Sequence, residues 1–301
     1  EEIEAVKQAA PKVIVFVILA GVFLTLMTAC GEDASRGEVG EAADGPQRII
    51  SLAPSNTEIL FALGLEDRIV GVTTYCDYPP QASEKAKIGG YSTPDIEKIL
   101  SLDPDLVVAA NIHKDAVVPE LERRGLRVIV ISPRTVEEAL TAMAEIGEVT
   151  GQRDEAWRLT SEIRSLIKSV ADRLAALDPE QRPKVFYITW HDPLWTLGSD
   201  TLTGEIVALA GGVNVFADAR GDFQTDLEAV LARNPHVILA STGHGSAGDS
   251  PYSWAISENK LEGTEARRNG RVYEVDANVM TRPGPRIAEA VETLARLIHP
   301  E

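Results

Sequence analysis

Short aliphatic runs alternate with longer amphipathic stretches through most of the chain, and that alternation leaves few folds open to it. Arg48-Ile49-Ile50-Ser51-Leu52 has the β-branched density of a strand. Ser55-Asn56-Thr57-Glu58 then opens an apolar-periodic stretch closed by Gly64. A capping polar residue, an early acid and a terminal glycine punctuate a short helix. Strands follow at 69–72, 106–110 and 128–131, with helices at 93–102 and 117–124. From 136 to 177 the texture changes to Ala, Glu, Arg and Leu. One helix through Glu148 is expected there, then a long one from Asp154 to Leu177, in which Trp157, Ile163, Leu166, Ile167, Val170 and Leu174 recur at helical spacing. Past Pro183 the alternation returns, with strands at 185–189, 237–240 and 272–275 and helices at 203–210, 227–232 and 285–298. Parallel strands with helical crossovers are what such a pattern builds. The expectation is an α/β chain of two doubly wound lobes, 47–150 and 181–301, joined by a connecting helix within 151–180.

At 301 residues the chain is long enough for two such lobes. Its formal charge of -17 argues against nucleic acid as a partner, since phosphate binding requires a basic face. It carries two cysteines, Cys30 and Cys76, fewer than a disulfide-held secreted scaffold uses, although one bridge between them is an open reading. Residues 13–28 are almost continuously apolar and follow Lys7 and Lys12. That is the length of a signal-peptide core and short for a membrane span, the alternative reading. The run ends in Met27-Thr28-Ala29-Cys30-Gly31, which resembles a bacterial lipoprotein box with Met27 where Leu is usual. The resemblance implies that 1–29 is a signal peptide and that Cys30 is acylated, which anchors an extracytoplasmic protein to the cell membrane. The Gly-, Ala- and acid-rich stretch 30–46 then reads as a flexible tether.

The two halves share one phrase. Asp103-Pro104-Asp105-Leu106-Val107-Val108 is echoed by Asn234-Pro235-His236-Val237-Ile238-Leu239, each with a helix before it and a buried strand within it. With it come Ser51–Glu58, the loop Thr74-Tyr75-Cys76-Asp77-Tyr78-Pro79-Pro80-Gln81-Ala82, Gly89-Gly90-Tyr91, the stretch from Trp190 to Gly198, and Arg282-Pro283-Gly284-Pro285-Arg286-Ile287. In this order, over about residues 47–299, they resemble the cobalamin and iron-siderophore binding proteins of ABC importers, and the tyrosine loop is most similar to that of the cobalamin-binding members. The resemblance implies the class III solute-binding fold, a ligand held between two lobes, a monomer, and delivery to a dimeric permease.

A corrinoid is large, flat and partly apolar, with amides around its rim, so its site needs aromatic surfaces and a few hydrogen-bonding groups. The loops above supply Tyr75, Tyr78, Tyr91, Trp190, Trp195 and Phe223, at the strand ends where open α/β sheets place ligands. Asn278 and Arg282 are the polar candidates; Asn278 stands where the family's cobalamin binders can carry an acid. Arg282 could instead make a helix-start salt bridge. Glu58 and Glu228, each near a helix start and one per lobe, are implied by the resemblance to face outward and dock onto the permease, with Asp226 a neighbouring candidate. Alone, each also suits its helix N-terminus.

The histidines at 113, 191, 236, 244 and 299 have no paired ligand spacing, so no resident metal or cofactor is expected; the cobalamin is cargo. The Gly-rich stretch around His244 reads as a flexible loop at the lobe opening. No phosphate loop, nucleophile elbow or catalytic set is recognisable, which sets a hydrolase-like lipoprotein far behind a binding protein. The same fold carrying a ferric siderophore or haem is the nearer alternative, with Arg220, Arg282, Tyr75, Tyr78 and His191 as the groups it would use.

Overall fold

Ile49 and Ile50 point to opposite faces of a strand, yet both are wholly buried, as a parallel strand covered on two sides requires. The computed structural model describes residues 45–242 and 250–300. The expected signal peptide, Cys30, most of the tether and the 243–248 loop lie outside them.

In the first lobe β1 (Ile49–Ser51), α1 (Pro54–Ala62), β2 (Ile69–Val72), α2 (Ile96–Ser101), β3 (Leu106–Ala109), α3 (Val117–Arg123) and β4 (Val128–Val130) form a parallel sheet of order β2-β1-β3-β4. The helices α4 (Val136–Thr150) and α5 (Arg153–Leu174) follow, α4 ending on Gly151 in the left-handed region that Gly adopts freely. The second lobe then runs β5 (Lys184–Ile188), β6 (Trp190–His191), β7 (Leu194–Leu197), α6 (Leu202–Leu209), β8 (Val213–Asn214), β9 (Asp222–Gln224), α7 (Leu227–Arg233), β10 (Val237–Ser241), α8 (Pro251–Ser257), α9 (Glu265–Arg268), β11 (Val272–Val275), α10 (Ala277–Thr281) and α11 (Ile287–Ile298). Its parallel sheet has the order β11-β10-β5-β8. The two-lobed α/β reading therefore holds. Parts of the second lobe were not foreseen: β6, β7 and β9 make a separate antiparallel sheet where the sequence suggested a loop, and β8, α8, α9 and α10 have no expected counterpart.

The shared x-Pro-x phrase has a physical job in both lobes. Asp103 and Asn234 each sit at φ 46°, a conformation that Asp and Asn tolerate better than other side chains. Two residues on, Asp105 accepts from the backbone N–H of Arg48 at 2.9 Å, and His236 Nδ1 accepts from that of Lys184 at 3.2 Å. The residue after each proline thus pins the start of its lobe's neighbouring central strand.

A continuous buried cluster crosses the lobe boundary. It runs from Ile49, Leu60 and Leu106 through Met143, Ile146, Ile163 and Val170 of α4 and α5 to Ile206, Val291 and Leu294 on α6 and α11. Each large aliphatic side chain so buried contributes about 1.5–3 kcal/mol, so the lobes and connector are packed as one body.

Candidate ligand-binding site

The loops at the carboxyl ends of the strands carry the site. In the first lobe the stretch after β2 bears Tyr75 and the stretch beyond it Tyr91, both exposed. They adjoin: Tyr75 Cε2 lies 4.0 Å from where a Cβ on Gly90 would stand, and Thr74 N–H donates to Gly89 C=O at 2.9 Å. Tyr91 is held from below by His113, a buried residue that the sequence did not mark for the site. The Ala110 N–H donates to His113 Nδ1 at 2.9 Å, so Nε2 carries the proton and donates to the Tyr91 carbonyl at 2.6 Å. The two rings meet edge to face at 5.6 Å. Partial burial raises the Tyr91 phenol above its usual value.

In the second lobe Trp190 and Trp195 are cross-strand partners on the β6–β7 hairpin. Trp190 Nε1 donates to the Asp192 carbonyl at 2.8 Å. His191 is buried between Trp190, 4.9 Å away, and Trp254, 6.1 Å away on α8. Trp254 was missed in the sequence; Ser250-Pro251, a capping serine before a first-turn proline, was the available signal for its helix. Phe223 packs edge-on against Phe216 at 5.5 Å and belongs in part to the lobe core. Asn278 lies in the first turn of α10, its N–H received by the Asp276 carboxylate at 2.8 Å.

Three expected site residues meet at the lobe interface instead. Glu58 does not face outward: its side chain is 1% exposed. Arg286 forks onto it, Nε to Oε2 at 2.9 Å and Nη2 to Oε1 at 2.7 Å, and Arg282 Nη1 donates to Oε1 at 2.9 Å. Arg282 also donates to Asp77 Oδ1 at 2.7 Å, so its guanidinium is committed to two carboxylates rather than presented to a ligand. Partial burial alone would raise the Asp77 carboxyl, but the Arg282 guanidinium, with Arg286 beyond it, holds it below the usual value. Tyr78 lies flat against Arg286, whose carbon is 4.1 Å from the ring centre. It lines a groove of about 850 Å³ shared with Leu159, Ile163 and Leu166 of α5 rather than grouping with Tyr91.

Glu228 is exposed in the first turn of α7, which Asp226 caps through a 2.8 Å bond to the Ala229 N–H. Its structural counterpart is not Glu58. Asp95 caps α2 through Lys98 N–H, and Glu97 stands exposed one position further than Ile96, as Glu228 follows Leu227. Both helices then lead into the same left-handed Asp103 or Asn234 turn.

A family model described as periplasmic binding protein matches residues 49–279. The chain belongs to this family. Its members are solute-binding transport components rather than enzymes. This periplasmic binding protein is 33% identical over 276 residues to the ABC transporter substrate-binding lipoprotein YvrC of Bacillus subtilis, covering 90% of this chain and 85% of the relative. It is 32% identical to a vitamin B12-binding protein of Vibrio cholerae, over 82% of this chain and 87% of that one. A solved periplasmic heme-binding protein of Pseudomonas aeruginosa superposes with a TM-score of 0.75 at 25% identity, over 85% of this chain and 94% of its own. The helix-joined pair of parallel-sheet lobes is the architecture of these neighbours.

Proposed function

We propose that this periplasmic binding protein captures a corrinoid between its lobes and delivers it to the permease of an ABC importer. The observation that carries the cargo is the provision of aromatic groups on strand-end loops of both lobes, exposed Tyr75 and Tyr91 on one and half-buried Trp190 paired with exposed Trp195 on the other. Such surfaces suit a flat ligand with neutral amides at its rim. The vitamin B12-binding relatives support the same cargo.

Haem is the second reading, favoured by neighbours of equal likeness. One feature weighs against it: a propionate needs a cation, and Arg282, one of the two arginines suited to that part, is already paired with Glu58 and Asp77. The deciding experiment is absorbance and calorimetric titration of the full chain in detergent with cyanocobalamin, hemin and a ferric siderophore. Cyanocobalamin is expected to bind saturably with a Kd of about 1 μM or tighter; binding of hemin or the siderophore alone would transfer the cargo to that ligand. Acylation of Cys30 is part of the same proposal, and the intact mass of the membrane-extracted chain checks it: an unacylated chain that retains residues 1–29 excludes it.

A further inference from the structure

We propose that Arg282 and Arg286 of the second lobe are positioning residues for the tyrosine loop of the first, so that the pose of one wall of the cleft is set from the opposite lobe. This rests on reading the cleft as the ligand site.

The loop from Thr73 to Pro80 has an anchored side and a loose side. Its anchored side is held within the first lobe. Cys76 is buried, its sulfur against the Thr57 and Thr73 hydroxyls at 3.1 and 3.2 Å. Lys87 Nζ donates to the Cys76 carbonyl at 3.3 Å. The outer residues, Tyr75, Asp77 and Tyr78, are all exposed and have little first-lobe support. The second lobe grips these three. Arg282 takes the Asp77 carboxylate at 2.7 Å and reaches the Tyr75 carbonyl at 3.5 Å, while Arg286 lies over the Tyr78 ring.

Both arginines are fixed in turn by Glu58, which receives three of their N–H groups. Two carboxylates therefore face two guanidiniums across the lobe boundary, and the charges balance. Withdrawing either arginine would leave a buried carboxylate short of a cation. The loop consequently follows the second lobe: a change in lobe separation moves Tyr75 with it, and a ligand that settles on Tyr75 acts on the ion cluster through one peptide unit.

Asp77 allows this to be tested without unpairing the buried charge, because Asp77→Asn loosens the loop and leaves Glu58 with both arginines. Hydrogen exchange of ligand-free protein is followed for the amides of 74–78, with those of β1 and β3 as internal reference. Asp77→Asn and Arg282→Lys are each expected to speed loop exchange by about tenfold while the strands stay protected. Because both substitutions weaken the same charged hydrogen bond, the double variant should be no faster than the faster single. Unchanged loop exchange in Asp77→Asn, or effects that multiply in the double variant, overturns the proposal. Cyanocobalamin titration of the same variants and of Tyr75→Ala separates the underlying reading. A loop that loosens while every variant, Tyr75→Ala included, binds as wild type means that the loop is held as proposed but does not contact the ligand, which sinks the reading of Tyr75 and the functional half of the proposal with it.

Discussion

Glu58 is buried because two guanidiniums meet it there, and a carboxylate without such partners would not tolerate that position. Its short-range sequence context, an acid in the first turns of a helix, gives no hint of this. Its partners lie 224 and 228 residues further along, beyond any local pattern. The resemblance to binding proteins with outward docking acids implied an exposed side chain here, where the structure has a buried one. Tyr75 and Tyr91 were legible for the opposite reason: each sits in a short loop whose glycine and proline neighbours fix its exposure locally. The arrangement predicts that Glu58→Gln, which keeps the shape and removes the charge, destabilises the protein by about 3 kcal/mol, since both arginines lose their shared anion within a largely desolvated interface. Urea denaturation measures it. A loss below about 0.5 kcal/mol, the size expected of a surface pair, would show that the cluster is not energetically buried.

At the scale of elements, the parallel sheets were readable, β8 apart, because most of their strands are largely apolar runs bounded by capping residues and glycines. The antiparallel sheet was not, because β6 has two residues and β9 three, too few for any period to register. The connector was overdrawn in sequence: α5 ends at Leu174, short of the expected Leu177. The repeated unit of helix, left-handed turn and pinned strand carries a functional consequence. It places Glu97 on α2 where Glu228 stands on α7, each exposed one position after the first helical residue. Two exposed acids at equivalent places on two lobes suit a partner that engages both lobes at once. We infer that this pair, rather than Glu58 and Glu228, does the docking. Charge reversal at Glu97 and Glu228 together is expected to leave cyanocobalamin binding within about twofold, because neither residue lies among the aromatic groups, and to abolish binding-protein-dependent uptake. Uptake at the wild-type rate in cells carrying the double reversal would remove both residues from the interface.

For the whole molecule, the question is whether two lobes behave as two bodies. Among the described residues the chain between the sheets consists of α4 and α5 and the turns around them, and such a link alone would permit independent motion and independent melting. The packing says otherwise. The buried cluster passes through α4 and α5 without a break, and α11, at the end of the second lobe, contributes Ile287, Val291 and Leu294 to the same cluster as Ile49 and Leu60 of the first. The Glu58 cluster adds charge pairs at the same boundary. Each lobe has a smaller buried cluster of its own, but the shared cluster would lose one side if either lobe unfolded. Thermal unfolding of the ligand-free protein should therefore be one cooperative transition, with calorimetric and van't Hoff enthalpies in agreement. Near-ultraviolet signals from the tryptophans, which include Trp190, Trp195 and Trp254 of the second lobe, should change at the same temperature as far-ultraviolet helicity, to which both lobes contribute. Two resolved heat-capacity peaks would mean that the lobes fold separately. The interlobe arginines would then act as a latch between independent domains, instead of as one part of a shared core.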